Sequence, residues 1–131
     1  MAGEPVVVES DALEWETWPA ALVDRRGGVR WKTLLSGDRT STDTLTLGIA
    51  TLAPGQALQE HRHEQAELYL VLDGTGEVML DESVRPVAPG TAIFAPGNVR
   101  HGIRNTGATE LRYAYVFAAD SFADVEYDFE R

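Results

Sequence analysis

The chain has 131 residues, 44% of them apolar and 24% charged, a balance that fits one globular domain with one core. Twenty-one acidic residues against eleven basic ones leave a net charge of −10, which repels phosphate backbones and anionic headgroups and argues against nucleic-acid or membrane-surface partners. The absence of cysteine removes disulfides, thiolate nucleophiles and cysteine-based zinc sites together, so any metal must be held by His, Asp or Glu.

In chain order, MAGEPVVVES carries no basic region followed by a long apolar run, and no later stretch reaches membrane-spanning length; the expectation is a soluble, cytoplasmic protein. Over residues 9–18, ESDALEWETW, Asp11 offers a helix N-cap with Glu14 three positions on, and Pro19 stops the run, which predicts a short helix. Arg25, Arg26, Gly27 and Gly28 read as a solvated loop. GVRWKTLL (28–35) reads as a strand and SGDRTSTD (36–43) as a polar loop. TLTLGIATL then alternates Leu45, Leu47 and Ile49 with smaller residues, which predicts one buried face. Strand-like runs recur at ALQEHRH, AELYLVLDG, GEVMLD, TAIFAP, HGIRN and ELRYAYVFA, separated by DG, PG and TG turns. Many short strands without an intervening helix favour an all-β antiparallel sandwich or barrel. The tail SFADVEYDFER is acidic but carries Phe122, Val125, Tyr127 and Phe129, so it is expected to pack. The glycines of DGTGE and PGN are turn punctuation, since no GX4GK phosphate loop and no GXSXG elbow is present, and Asp81 with Glu82, or Asp43 and Glu64, read as surface charge.

One stretch stands apart. In EHRHEQAELYLVLDG (60–74), strand alternation puts His61 and His63 on one face and Arg62 on the other. Glu67, Tyr69 and Val71 share one face of the next run, with Leu68, Leu70 and Leu72 opposite. A third imidazole, His101, lies in NVRHGIRN. Three neutral imidazoles and a carboxylate suit one divalent first-row metal ion, leaving positions open for water or substrate.

These residues resemble the two cupin motifs. GQALQEHRHEQAELYLVLDG fits GX5HXHX3EX6G through Gly55, His61, His63, Glu67 and Gly74; Gly90, Pro96, His101 and Asn105 fit GX5PXGX2HX3N. Only the internal glycine of the second departs, with Asn98 in its place and Gly97 one residue earlier; asparagine tolerates the left-handed turn better than most residues. The resemblance implies a cupin double-stranded β-helix, a jelly-roll barrel, over residues 28–131, with residues 1–27 a segment whose short helix packs on it. It further implies that His61, His63, Glu67 and His101 hold the metal (nickel, iron, manganese or zinc), and that the chain is a homodimer. With Glu67 turned to the metal, parity sends Tyr69 to the same interior, where a cation would lower its phenol below the usual value of about 10 and make it a base. The alternative is a tyrosine that packs with its hydroxyl bonded to backbone. Tyr127 and Trp31 are either an aromatic wall for a cationic ligand group or plain core.

Beyond the motifs, GVRWKTLL, PGNVRH and FADVEY resemble segments of the small cupin lyases that cleave dimethylsulfoniopropionate to dimethyl sulfide and acrylate. That likeness implies a carbon–sulfur lyase acting on a small carboxylate, with Tyr69 as base and Tyr127 lining the pocket or assisting. The fold alone does not choose the chemistry. Two other readings stand beside it: a cupin dioxygenase or isomerase of a small acid, and a non-catalytic cupin that binds a small molecule.

Overall fold

A computed structural model describes residues 4–130, so the outer ends of the two expected segments, residues 1–3 and 131, lie outside the described residues. Ten strands follow in order: β1 (Glu16–Thr17), β2 (Arg30–Leu35), β3 (Thr46–Leu52), β4 (Ala57–His61), β5 (Glu67–Asp73), β6 (Gly76–Leu80), β7 (Ser83–Val87), β8 (Ala92–Ala95), β9 (His101–Asn105) and β10 (Leu111–Phe117). They form two antiparallel sheets, six strands in the order β1-β2-β3-β10-β5-β8 and four in the order β4-β9-β6-β7. This is the expected all-β double-sheet barrel. The inner faces supply the core, where Leu52, Val71, Val78, Ile103, Leu111, Tyr113 and Phe117 lose essentially all contact with water. Burying each large apolar side chain contributes roughly 1.5–3 kcal/mol.

Turn chemistry sets the registers. Gly74 follows β5 with φ 83°, and a Cβ there would strike the carbonyl of Glu110, so only glycine fits. Asn98 adopts φ 66°, the left-handed turn for which the cupin motif uses glycine. Strand β7 has no counterpart among the sequence-predicted runs. Its exposed polar residues and Pro86 mask it, yet Pro86 is tolerated because β7 is an edge strand. Asp81 and Glu82, read as surface charge, are the two-residue turn between β6 and β7, with Asp81 at φ 52°.

Three expectations are corrected. The helix expected over 9–18 does not form: Ser10–Ala12 is a single 3-10 turn, and Glu16–Thr17 pairs with β2 instead. Both carboxylate oxygens of Glu16 accept from Arg39, which holds this segment flat against the sheet. Among the described residues the one short α-helix, α1, is Val23–Arg26, and its second half takes in Arg25 and Arg26 of the expected loop. Finally, the interior face of β3 is not Leu45, Leu47 and Ile49 but Thr46, Gly48, Ala50 and Leu52, and Leu45 is exposed. The cause is steric: Gly48 lies opposite Tyr115 on β10, and any Cβ there would collide with the tyrosine ring.

Among the described residues no helix is long and apolar enough to cross a membrane.

Candidate metal centre

The four residues singled out by the sequence meet at one point. His61 ends β4 and is the cross-strand partner of His101, the first residue of β9; His63 lies two residues past β4, and Glu67 opens β5. All four are buried, and their ligand atoms lie within 4.8 Å of one another. The His61 and His101 ring centroids are 4.4 Å apart, those of His63 and His101 4.8 Å.

Backbone carbonyls fix the tautomers. The Nδ1–H of His61 donates to Gln59 O at 2.7 Å, that of His63 to Gln65 O at 2.9 Å, and that of His101 to Val99 O at 2.8 Å. A carbonyl only accepts, so each neutral ring carries its proton on Nδ1 and turns a bare lone pair, on Nε2, toward the centre. Yet Nε2 of His63 and of His101 each stand 3.0 Å from Glu67 Oε1, lone pair against carboxylate, while His61 Nε2 has no partner among the described residues. A positive charge at its middle would relieve this arrangement. Protonation of His61 is not the source, because burial first, and then the neighbouring His101, hold its pKa well below the usual 6.5. A single divalent cation satisfies all four groups at once, and 3.0 Å is the separation of two donors at right angles around an ion with bonds of about 2.1 Å. The residues present therefore fit a metal ion.

Beside the centre is an aromatic cavity. Its wall includes Glu67, Tyr69, Trp31, Tyr113, Tyr115 and Tyr127, and its open volume is about 20 Å³, space for about one water. The Tyr69 hydroxyl is buried and unpartnered among the described residues, so it is not tied to backbone as the structural alternative required. Within the chain itself the Tyr69 phenol is pushed well above 10, by burial and then by the Glu67 charge, the reverse of the direction a bound cation imposes. Burial likewise raises Tyr127, whose ring centroid lies 4.9 Å from that of His61 and 5.4 Å from that of His63. Trp31 faces the cavity with its Nε1 unpartnered.

Several wall residues escaped the sequence reading. Tyr113 and Tyr115 were legible in principle, since LRYAYVF places them on the same face as Phe117. Trp18 carried no such signal, whereas Phe129, next to the wall, packs as the tail was expected to. The Trp18 ring packs on Trp31, with centroids 4.8 Å apart, and the Phe129 ring lies 5.1 Å from His61. The Arg26 guanidinium, expected to be solvated, stacks on both, 4.6 Å from the Trp18 ring and 4.9 Å from Phe129.

Known proteins place the chain in context. Residues 48–117 match the family described as Cupin domain. The dimethylsulfoniopropionate lyase DddW of Ruegeria pomeroyi is 42% identical over 103 residues, covering 79% of this chain and 67% of that protein. An oxalate-binding protein of Thermotoga maritima is 30% identical over 118 residues, 87% of this chain and 94% of that protein. Among solved structures, a predicted oxalate decarboxylase of Thermotoga maritima superimposes with a TM-score of 0.73 at 26% identity, covering 87% of this chain and 99% of that one.

Proposed function

The chain belongs to the cupin domain family, and from that premise we propose that it is a metal-dependent lyase of a small carboxylate, cleaving dimethylsulfoniopropionate to dimethyl sulfide and acrylate. The observation that carries the reading is the Tyr69 hydroxyl: buried, without a hydrogen-bond partner among the described residues, and in the same cavity wall as Glu67. The 42% identity to DddW supports it.

His61, His63, Glu67 and His101 would hold one divalent ion, whose charge would favour the phenolate of Tyr69 and steady the substrate's carboxylate. Tyr69 Oη then takes the proton from the carbon beside the carboxylate. The electron pair left behind forms the carbon–carbon double bond as the carbon–sulfur bond breaks, so dimethyl sulfide leaves with the sulfonium's electrons restored and acrylate remains. The rings of Trp31, Tyr113, Tyr115 and Tyr127 line the cavity, where they would offer π-faces to the sulfonium and exclude water from the phenolate. Tyr127, over His61 and His63, lines the pocket and assists in orienting the substrate.

A cavity of about 20 Å³ favours a second reading, a binder of a small acid, since about eight non-hydrogen atoms cannot share the space of one water unless the wall moves. The similarity to an oxalate-binding protein points the same way. The test is to load the purified protein in turn with nickel, iron, manganese and zinc, incubate it with dimethylsulfoniopropionate, and assay headspace dimethyl sulfide and dissolved acrylate. Stoichiometric appearance of both is expected with at least one metal. Absence of both with every metal overturns the lyase, and retention of a small acid without turnover then supports the binder.

A further inference from the structure

Beside the metal centre, the aromatic cavity holds two indole N–H groups that nothing answers. Trp18 and Trp31 both line it, and the Nε1 of each is buried without a hydrogen-bond partner among the described residues. Strand pairing brings the two together. Strand β1 bonds to β2 with Glu16 opposite Trp31, and just past β1 Trp18 turns its ring onto that of Trp31, with centroids 4.8 Å apart. A core indole usually gives its proton to a backbone carbonyl, but the carbonyls of β2 are engaged by β1 on one side and β3 on the other. The pair is also close to the centre. Trp18 meets Tyr127 at 5.3 Å and Tyr127 meets His61 at 4.9 Å, so one ring separates the indoles from the imidazoles.

We propose that the Nε1–H groups of Trp18 and Trp31 bind the carboxylate of the ligand and so select which acids the cavity takes. The proposal rests on the small-carboxylate reading above, which the lyase and the binder share. Chemistry selects the class. An indole N–H only donates, so the group it meets must bring lone pairs. A cation is the wrong guest at this edge, where the N–H carries the positive end of its dipole. A neutral amide brings N–H groups of its own, for which the wall has little to offer: its one carboxylate, Glu67, is turned to the imidazoles of His63 and His101. An ionised carboxylate accepts only, with two oxygens for two donors. Among the described residues no lysine or arginine lines the cavity, so the indoles are the wall's obligate donors. The N–H lies in the ring plane, which leaves the indole faces free for the rest of the ligand. As a proton leaves the carbon beside the carboxylate, charge grows on its oxygens, and fixed N–H dipoles hold them more strongly. The same contact points that carbon toward Tyr69, in the same wall.

The experiment follows the indole N–H resonances of the full chain, labelled with nitrogen-15 and loaded with zinc, which is diamagnetic. The chain has three tryptophans, and Trp15, on the outer face against Arg30 and Lys32, is the internal control. Titration with acrylate or propionate is expected to move the Trp18 and Trp31 signals downfield, as a stronger hydrogen bond does, and to leave Trp15 in place. Acrylamide, the neutral counterpart of acrylate, is expected to move neither at the same concentrations. Trp31→Phe keeps a ring and deletes the donor, so acrylate affinity is expected to fall about tenfold or more at unchanged zinc content and circular dichroism. Trp18→Phe gives the same readout should Trp31→Phe fail to fold, and each variant assigns the signal it removes. The proposal is overturned if neither acid binds, if binding leaves both signals unmoved, if acrylamide acts as acrylate does, or if the folded variants bind acrylate at full strength. Turnover of dimethylsulfoniopropionate with unmoved indoles would leave the lyase and remove this contact; moved indoles without turnover would remove the lyase and keep the contact.

Discussion

The candidate metal centre, a floor of strand ends, and the terminal segments packed over it, a mouth of aromatic rings, are built on different terms. At the floor, the four ligand residues sit at the ends of three strands, each imidazole locked by a bond to a backbone carbonyl two residues away. Asn105, four residues after His101, donates to the carbonyls of Leu52 and Thr109 and ties the two sheets together. The mouth is closed by Trp18 from one end of the chain and by Tyr127 and Phe129 from the other. It is held by a two-residue bridge, Arg62 to Asp128, by the Arg26 stack, and by exposed side-chain bonds from Arg62 to the Asp128 carboxylate, from Arg25 to the Glu130 carboxylate and from Arg100 to the Glu130 carbonyl. The difference separates two tasks. Positioning a metal within tenths of an ångström needs a sheet, whereas admitting a substrate needs a wall that yields, and terminal segments supply one at low cost.

The largest effect belongs at the floor. His63→Ala removes one imidazole and leaves the Glu67 carboxylate facing a depleted set, so metal affinity is expected to fall at least about a hundredfold and elimination to vanish with it. Metal content by elemental analysis and affinity by calorimetry check this; retention of a full equivalent of ion would show that the centre lies elsewhere. Tyr69→Phe comes next. Loss of the proposed base is expected to cost about 10²–10⁴ in turnover while metal content stays unchanged, because the hydroxyl touches no ligand atom within hydrogen-bonding distance. Full turnover in the phenylalanine variant would take the base away from Tyr69 and leave the metal centre standing.

The two regions differed equally in how much of them the sequence disclosed. The floor was legible because its logic is local: strand parity puts His61 and His63 together, and Glu67 with Tyr69, without knowledge of anything distant. The second motif extended this to His101, and Asn98 showed that the substituted turn still forms. The mouth was illegible because it is made by chain ends meeting across the barrel. Trp15 and Trp18 both fall in the run 9–18, expected to be a helix from its capping signals. In the structure a strand runs between them, so Trp15 lies outside against Arg30 and Lys32 while Trp18 turns inward against Trp31. The same limit explains β3. Its larger residues looked like the buried set, but the interior was already filled by tyrosines from β10, sixty-odd positions later in the chain, and β3 had to present its small residues.

The smallest effect tests whether the mouth is the yielding wall. Phe129 is half-buried, its ring stacked with Tyr127 at 5.9 Å between centroids and gripped by Arg26. Phe129→Ala removes that packing but touches neither a strand nor a metal ligand, so the stability loss is expected to be about 1–2 kcal/mol, below the 3–5 usual for a fully buried ring. Access is expected to change more than stability does. The Tyr127 ring lies against His61 and His63 and loses its neighbour in the variant, which would open that side of the centre to an ion held there. The rate at which a chelator strips the loaded protein should therefore rise several-fold, with equilibrium metal affinity nearly unchanged, because the ligands and their carbonyl partners are intact. A stripping rate equal to that of the wild type would mean that the terminal segments are as rigid as the sheet beneath them, and that substrate and metal enter by another route.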